Sequence, residues 1–219
     1  MDIHFIEKFF PKYIEASILV VKVGGLGIIF SILTGFILSL VIYYKIPFFR
    51  RLTAAAIELS RNTPLIVILF FLYFGLTKIG IQMTSQTSAI IGLSFLGSGY
   101  MAETFRAGLE SVSKSQIESA FALGFKKPQV LRYIILPDCL ANSIPPLCSN
   151  IIFLLKETSV FSVVALADLI FVANDLIGIY YKTEEALLML VICYLVILLP
   201  ILILATVLER RLRYAKFGN

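Results

Sequence analysis

Charge is scarce in this chain. Asp, Glu, Lys and Arg together make up 15% of its 219 residues, and 59% of the residues are apolar; ordinary soluble domains contain about 25% charged residues. The stretch 23–44 carries no charged residue. As an α-helix it would be about 33 Å long, which is enough to cross a hydrocarbon core of about 30 Å. This composition excludes an ordinary soluble domain and predicts a membrane protein.

Residues suited to metal or covalent chemistry are also scarce. His4 is the only histidine, which argues against a histidine-ligated metal centre and a histidine base. The three cysteines, Cys139, Cys148 and Cys193, fall in apolar stretches without zinc or disulfide spacing. The sequence contains neither a GxxxxGKS/T phosphate loop nor an HExxH, paired-acid or Ser/Lys constellation. We therefore expect no metal, no cofactor and no catalytic residue, and the chain cannot supply ATP chemistry through a phosphate loop.

Five apolar stretches are long enough to be membrane spans. Their approximate bounds are residues 18–44, 62–80, 86–112, 132–157 and 186–208. Because they use most of the chain, we predict one polytopic all-α membrane domain over residues 1–219, with a core of about 19–208. The N-terminus carries Asp2, Glu7 and Glu15, and the first apolar run is longer than that of a cleavable signal, so the first helix is expected to be retained.

The basic residues are divided unequally between the two sides of these spans. Eleven flank one side: Lys45, Arg50, Arg51, Lys114, Lys126, Lys127, Arg132, Arg210, Arg211, Arg213 and Lys216. Four flank the other: Lys8, Lys12, Lys78 and Lys182. Since Lys and Arg are enriched in cytoplasmic loops, the bias predicts an N-terminus outside and a C-terminus inside. The basic residues are spread over three loops without a basic groove motif, which argues against a nucleic-acid partner.

Span one carries a stripe of small residues four positions apart. These residues are Gly27, Ser31, Gly35 and Ser39. Small side chains let helix backbones approach closely, which is a main source of helix association in lipid. The stripe therefore predicts a close helix contact, either within the chain or at a dimer seam.

Pro64 interrupts the start of the second span. It lacks a backbone N–H and disfavours helix at Thr63, so we predict that the helix breaks or restarts here. A broken membrane helix is tolerated where it lines a cavity or is buried in protein, and Arg61 and Asn62 could then serve a translocation path. The alternative is a simple helix start at the cytoplasmic interface. We interpret Arg61 in this second way, among lipid headgroups, and keep Asn62 as a candidate for substrate contact.

A charged stripe runs down the third span. Glu103, Arg106, Glu110 and Lys114 follow helical spacing, so Glu103–Arg106 and Glu110–Lys114 pairs would form a structural network. Charges in membrane spans are costly and usually face a partner or a water-filled path. Contact of Glu103 and Arg106 with substrate is therefore the alternative to a structural network.

The end of the fourth span presents a different arrangement. Lys156 and Glu157 are adjacent, and adjacent helical residues point about 100° apart, so they cannot satisfy each other. We predict that Glu157 and Thr158 contact substrate. Asp168 and Asp175 lie nearer the outer side and are interpreted as loop or cap residues.

The polar stretch between the third and fourth spans predicts a short amphipathic helix at about 115–125. Ile117, Ala120, Phe121 and Gly124 recur at helical spacing on one side, with Glu118 elsewhere. Gly124 can close this helix in a left-handed conformation, and a proline four residues later suits the first turn of the next helix. The helix either fits a groove on a partner protein or rests on lipid headgroups.

The spacing through this stretch resembles a known signature. Glu118-Ser119-Ala120, three residues, Gly124, nine residues, Ile134, one residue and Leu136-Pro137 match the EAA pattern of membrane subunits in ATP-driven importers, with Ser119 in place of Ala. The resemblance implies that Glu118, Ser119, Ala120 and Gly124 couple the chain to an ATPase. It favours the partner groove over the lipid surface.

Three further blocks resemble the polar amino-acid uptake permeases, a family of type I ABC importers. They are Arg61-Asn62-Thr63-Pro64 through Gly75, Gly99 to Gly108, and Lys156-Glu157-Thr158-Ser159. The family typically shows RGTP, AExxRxG and KDTS, so this chain departs at Asn62, at Glu157, and around Lys114, where Ser113 and Ser115 replace the usual Pro and Gly. These departures leave the substrate open.

The resemblance implies the type I ABC importer fold and a transport subunit, not an enzyme, in a bacterial inner membrane. It also implies partners: an ABC ATPase dimer that binds the ATP, a second permease chain that is identical or homologous, and an extracytoplasmic amino-acid-binding protein. The expected substrate is a polar amino acid. An importer for an opine, a quaternary amine or an inorganic ion, and a channel, are the alternatives.

Overall fold

The computed structural model describes residues 1–217, with side chains through Arg211, and every regular element in this range is helical. The α-helices are α1 (Ile3–Tyr43), α2 (Phe49–Asn62), α3 (Leu65–Phe70), α4 (Ser85–Glu110), α5 (Lys114–Ala122), α6 (Lys127–Val130), α7 (Leu136–Glu157), α8 (Leu169–Tyr180) and α9 (Thr183–Phe217). The all-α prediction is confirmed. The side chains of Arg213 and Lys216 lie outside the described part of the chain.

Three continuous helical stretches in the described chain are long and apolar enough to cross a membrane. They are Ile3–Tyr43, Lys127–Val164 and Thr183–Arg211. Phe49–Asn62 and Leu65–Ile79 qualify together as a fourth, broken span with a bend of 106°. Helix α4 has 26 residues and would extend about 39 Å, but its polar residues keep it out of this set. The count of five spans therefore stays a prediction.

Helix α1 begins fifteen residues before the predicted start of span one. Phe5, Phe9, Tyr13, Ala16 and Val20 are buried along one face of this extension, where they pack against α8 and the first turns of α9. Glu7 and Glu15 lie on the exposed face of the same helix, and Asp2 is its N-cap. The N-terminal residues therefore form an amphipathic helix that continues into the apolar span.

The small-residue stripe of α1 packs against α4 within the same chain. A Cβ atom added to Gly35 would lie 2.5 Å from the Met101 Cβ and 2.9 Å from the Ala102 backbone nitrogen. The Ser31 hydroxyl donates to the Leu93 carbonyl at 3.2 Å across the same contact. The stripe is thus an intramolecular contact, which is one of the two alternatives that the sequence left open.

The loop before α8 is closed by a buried carboxylate. Asp168 is the N-cap of α8, and its Oδ1 accepts a hydrogen bond from the Phe171 N–H at 2.7 Å. Burial removes the carboxylate from water and raises the pKa of Asp168 to about 6, although the hydrogen bond from the Phe171 N–H lowers it. The cap prediction is confirmed for Asp168. It is wrong for Asp175, which lies inside α8 and is exposed.

Candidate functional site

The chain bends sharply between α2 and α3. Helix α2 ends at Asn62, Thr63 is extended, and Pro64 precedes the first residue of α3. The predicted break is confirmed, because Pro64 has no N–H for the helix and forces Thr63 out of the helical region. The Asn62 amide remains at the end of α2, where it donates to the Glu58 carbonyl at 2.8 Å and to the Glu58 Oε2 at 3.1 Å.

A cleft of about 390 Å³ opens beside this break. Three parts of the chain form it: the break itself, the middle of α4, and the end of α7 with the turn that follows. The lining residues are Arg61, Asn62, Thr63, Pro64, Leu65, Ile66, Leu96, Tyr100, Phe153, Glu157 and Val160. The cleft therefore brings together two residues that the sequence predicts for substrate contact, Asn62 and Glu157, although 95 positions separate them.

Arg61 also lines the cleft, as expected from the alternative in which the helix break serves a translocation path. Its guanidinium carbon lies 5.7 Å from the centroid of the Tyr100 ring, within the range of a cation–π contact. The Tyr100 hydroxyl donates to the Arg61 carbonyl at 3.4 Å. The Arg61 Nε is buried without a hydrogen-bond partner in the described structure. The sequence analysis allowed for this role at the helix break but favoured a position of Arg61 among lipid headgroups, because the sequence does not show which residues meet at the break.

Glu157 supplies the acidic group of the cleft. It is half-buried, and none of the ion pairs within residues 1–211 includes it. The prediction that Lys156 does not satisfy Glu157 is consistent with this arrangement. The cleft thus holds a cation and an anion on different helices, together with the paired rings of Tyr100 and Phe153, whose centroids are 5.0 Å apart.

Thr158 does not line the cleft. Its side chain is fully buried, and its hydroxyl donates to the Leu155 carbonyl at 2.7 Å. Its methyl group would lie 2.9 Å from a Cβ atom added to Gly24 of α1. Thr158 therefore packs the end of α7 against α1, facing away from Glu157.

Glu103 and Arg106 form an ion network outside the cleft lining. The Arg106 Nη2 lies 2.6 Å from the Glu103 Oε2, and the Arg106 Nη1 lies 2.7 Å from the Glu110 Oε2. The Glu103–Arg106 pair is confirmed. The predicted Glu110–Lys114 pair is wrong, because α4 ends at Glu110 and Lys114 begins α5 after a turn. The helical spacing that the pair requires is therefore not maintained.

The amphipathic helix predicted at about 115–125 is α5. Ser113 caps it by accepting a hydrogen bond from the Gln116 N–H at 3.2 Å, and Gln116 accepts from the Ser113 N–H at 3.0 Å. At the other end, Gly124 has a φ of +87°, as predicted. The Phe125 N–H donates to the Ala120 carbonyl, and the Gly124 N–H to the Phe121 carbonyl. These two bonds form a Schellman motif.

The exposed face of α5 differs from the predicted one. Ala120 is buried, where it packs with Leu109 at the end of α4 and Val130 in α6. Glu118, Ser119 and Gly124 are exposed, and so are the apolar side chains of Phe121 and Leu123. Sequence spacing predicted an apolar face but not that Ala120 would anchor the helix to its own chain. The available contact surface is therefore built around Phe121 and Leu123, together with the predicted Glu118 and Ser119.

Comparison with known families decides the class of the protein. The family described as binding-protein-dependent transport system inner membrane component matches residues 15–214. The chain belongs to this family. It is a permease component of the bacterial inner membrane, which confirms the prediction of a transport subunit rather than an enzyme.

Individual relatives resemble this permease component over most of its length. The probable glutamine ABC transporter permease protein GlnP of Bacillus subtilis (strain 168) is 37% identical over 164 residues, 75% of each chain. The probable amino-acid permease protein YxeN of the same organism is 40% identical over 162 residues, 73% of this chain and 72% of YxeN. A crystal structure of an amino acid ABC transporter with histidines matches 96% of this chain and 99% of its own, with a TM-score of 0.89 and 30% identity.

Proposed function

We propose that this permease component imports a polar amino acid, which an external binding protein delivers and which a separate ATPase drives across the membrane. The cleft at the α2–α3 break carries this proposal, because it places Arg61 and Glu157 on opposite elements around one space. An α-amino acid carries one carboxylate and one ammonium. Relatives named for glutamine and for amino acids support the same class of substrate.

The two charges suit the two ends of an amino acid. The planar guanidinium of Arg61 can bind a carboxylate with two parallel hydrogen bonds, and the free Nε of this residue offers one donor. Glu157 can accept the ammonium group or a cationic side chain. A charged ligand must recover the cost of leaving water, and a cleft with both signs of charge offsets that cost at both ends. The cleft volume lies in the usual range for small-molecule sites.

The paired rings of Tyr100 and Phe153 favour one alternative substrate, a quaternary amine. Aromatic faces attract such cations, which cannot donate hydrogen bonds. A quaternary amine that retains a carboxylate would still use Arg61. It would need Glu157 only as a distant counter-charge.

Two charge-removing variants test the substrate site. Arg61→Gln and Glu157→Gln are each expected to lower amino-acid uptake by the reconstituted complex about tenfold or more, since a hydrogen bond to a charged group contributes about 1.5–3 kcal/mol. Lys156→Gln is the matched control, because Lys156 is exposed and does not line the cleft. Uptake of basic, neutral and acidic amino acids and of a betaine would be measured per amount of folded complex.

The outcomes of this test separate the alternatives. If Glu157→Gln lowers amino-acid uptake but not betaine uptake, and the wild type prefers the betaine, the substrate is a quaternary amine. If both cleft variants retain wild-type uptake and selectivity, the site is wrong and the binding protein alone selects the substrate. We expect variants of Asn62, Glu103 and Arg106 to lower uptake less than variants of Arg61 and Glu157 do. Glu103 and Arg106 already satisfy each other.

We also propose that α5 is the contact for the ATPase. Glu118, Ser119 and Gly124 are exposed there beside Phe121 and Leu123. Apolar side chains with an acidic neighbour suit a groove on a partner protein. The substrate cleft is open on the surface of the chain and does not enclose a path, so a second permease chain, identical or homologous, would complete it.

The proposed orientation follows from the charge bias of eleven basic residues against four. It places the N-terminus outside and the C-terminus and α5 inside, on the side of the ATPase. A reporter fused after the last residue should be active only in the cytoplasm. Activity on the outer side alone would reverse the orientation.

A further inference from the structure

Residues 44–52 form an exposed elbow between α1 and α2. All nine of its residues are exposed. Five of them are large and apolar: Tyr44, Ile46, Phe48, Phe49 and Leu52. Three others are basic: Lys45, Arg50 and Arg51. The elbow is therefore both apolar and basic, and it lies directly at the end of a membrane-spanning helix. None of its residues belongs to the substrate cleft or to α5.

The backbone of the elbow holds an aromatic side chain outward. Lys45 and Phe48 have φ values of +50° and +67°, which residues with a Cβ atom rarely adopt. Phe48 precedes α2 without a side-chain cap, and its side chain is 84% exposed. Its ring contacts only the neighbouring ring of Phe49, edge-on, among the ring pairs of the described residues, with the centroids 5.5 Å apart. The elbow therefore combines an uncommon backbone conformation at Phe48 with a largely exposed ring.

The three basic side chains of the elbow form no ion pair with an acidic residue of the described chain. The sequence contains no Asp or Glu between Glu15 and Glu58. The three basic side chains instead line one open cleft of about 1090 Å³ together with Pro47, Phe48, Leu52 and Ala54. Three cations around one cleft beside exposed apolar side chains are complementary to an anion that carries an apolar body.

We propose that the elbow binds the phosphate of an anionic phospholipid. The inference rests on membrane insertion of the chain and is independent of which substrate it transports. Lys45, Arg50 and Arg51 would pair with the headgroup phosphate. Phe48, Phe49 and Leu52 would lie at the boundary between headgroups and acyl chains. Basic residues next to a span attract anionic lipids, and aromatic and apolar side chains beside them deepen the insertion. The position at the end of α1 favours lipid over a protein groove, and α5 already presents a separate protein-facing surface.

The test compares lipid retention by the purified transport complex. Complexes in nanodiscs of phosphatidylglycerol and phosphatidylcholine would be extracted and analysed for bound lipid by native mass spectrometry. The wild type is expected to retain phosphatidylglycerol over phosphatidylcholine. The triple variant Lys45→Gln, Arg50→Gln, Arg51→Gln should lose this preference about tenfold or more, because each basic residue near an anionic surface contributes to binding. Phe48→Ser should weaken retention of both lipids.

Two controls keep the result specific. The triple variant Lys126→Gln, Lys127→Gln, Arg132→Gln removes the same charge from another loop on the same predicted side and should retain the lipid preference. Arg50→Lys, Arg51→Lys keeps the charge and should behave as wild type, which covers the case in which the Gln variant fails to fold. Equal loss in the two Gln triple variants would overturn the proposal. Displacement of the lipid by millimolar inorganic phosphate would also overturn it. So would an elbow triple variant that loses the ATPase from the complex but retains the wild-type lipid preference.

Discussion

Gly124→Asn is expected to lower ATP-driven uptake at least tenfold while the permease still folds and inserts normally. Gly124 closes α5 with a φ of +87°, and Asn is one of the few residues that tolerate this conformation. A Cβ atom at Gly124 would meet no atom of this chain within 4 Å. The turn should therefore survive the substitution, and the new side chain can only obstruct a partner that approaches closely. Stimulation of the ATPase by the binding protein would be measured beside uptake.

The chain offers a matched control for this variant. Gly80 has a φ of +89°, and a Cβ atom there would also meet nothing within 4 Å, but it lies in the loop between α3 and α4, on the opposite predicted side. Gly80→Asn should therefore retain wild-type uptake. If Gly124→Asn also retains full uptake and ATPase stimulation, Gly124 serves only the turn and α5 is not the coupling contact.

Gly35→Leu is expected to reduce the yield of folded permease severalfold. A Cβ atom at Gly35 would lie 2.9 Å from both the Ala102 nitrogen and the Ser98 carbonyl oxygen, and these backbone atoms cannot move unless α1 and α4 separate. Overpacking lowers the free energy of unfolding by about 1–3 kcal/mol even where side chains can adjust. The whole free energy of unfolding of a protein is only roughly 5–15 kcal/mol. Thermal unfolding of the detergent-solubilised protein would report the loss.

Gly25→Leu is the control on the same helix. A Cβ atom at Gly25 would meet nothing within 4 Å, and leucine favours helix more than glycine does. This variant should therefore fold at least as well as the wild type. Equal stability of the Gly35 and Gly25 variants would mean that the close contact of α1 with α4 does not hold the chain together.

Local features were the most predictable from the sequence. Pro64 predicted the helix break, Gly124 predicted the end of α5, and the small-residue stripe of α1 predicted a close helix contact. Each of these features depends on the backbone or the size of a single residue type. The family resemblance drawn from the residue blocks was confirmed by the family match over residues 15–214.

Features that depend on packing between distant segments were less predictable. Arg61 lines the cleft because the chain bends by 106° between α2 and α3. This angle cannot be predicted from the sequence. Ala120 is buried because Leu109 and Val130 meet it in space. Thr158 faces α1 although its neighbour Glu157 faces the cleft, since the helix places adjacent side chains about 100° apart. The first helix extends to Ile3 because α8 and α9 cover its apolar face.

Accumulation of substrate against its gradient tests the central claim most directly. The permease would be reconstituted in proteoliposomes with its ATPase and binding protein, and uptake of a panel of labelled polar amino acids would be followed. We expect one of them to rise above its external concentration only when both ATP and the binding protein are present. Equilibration to the external concentration without ATP would identify a channel and contradict the account.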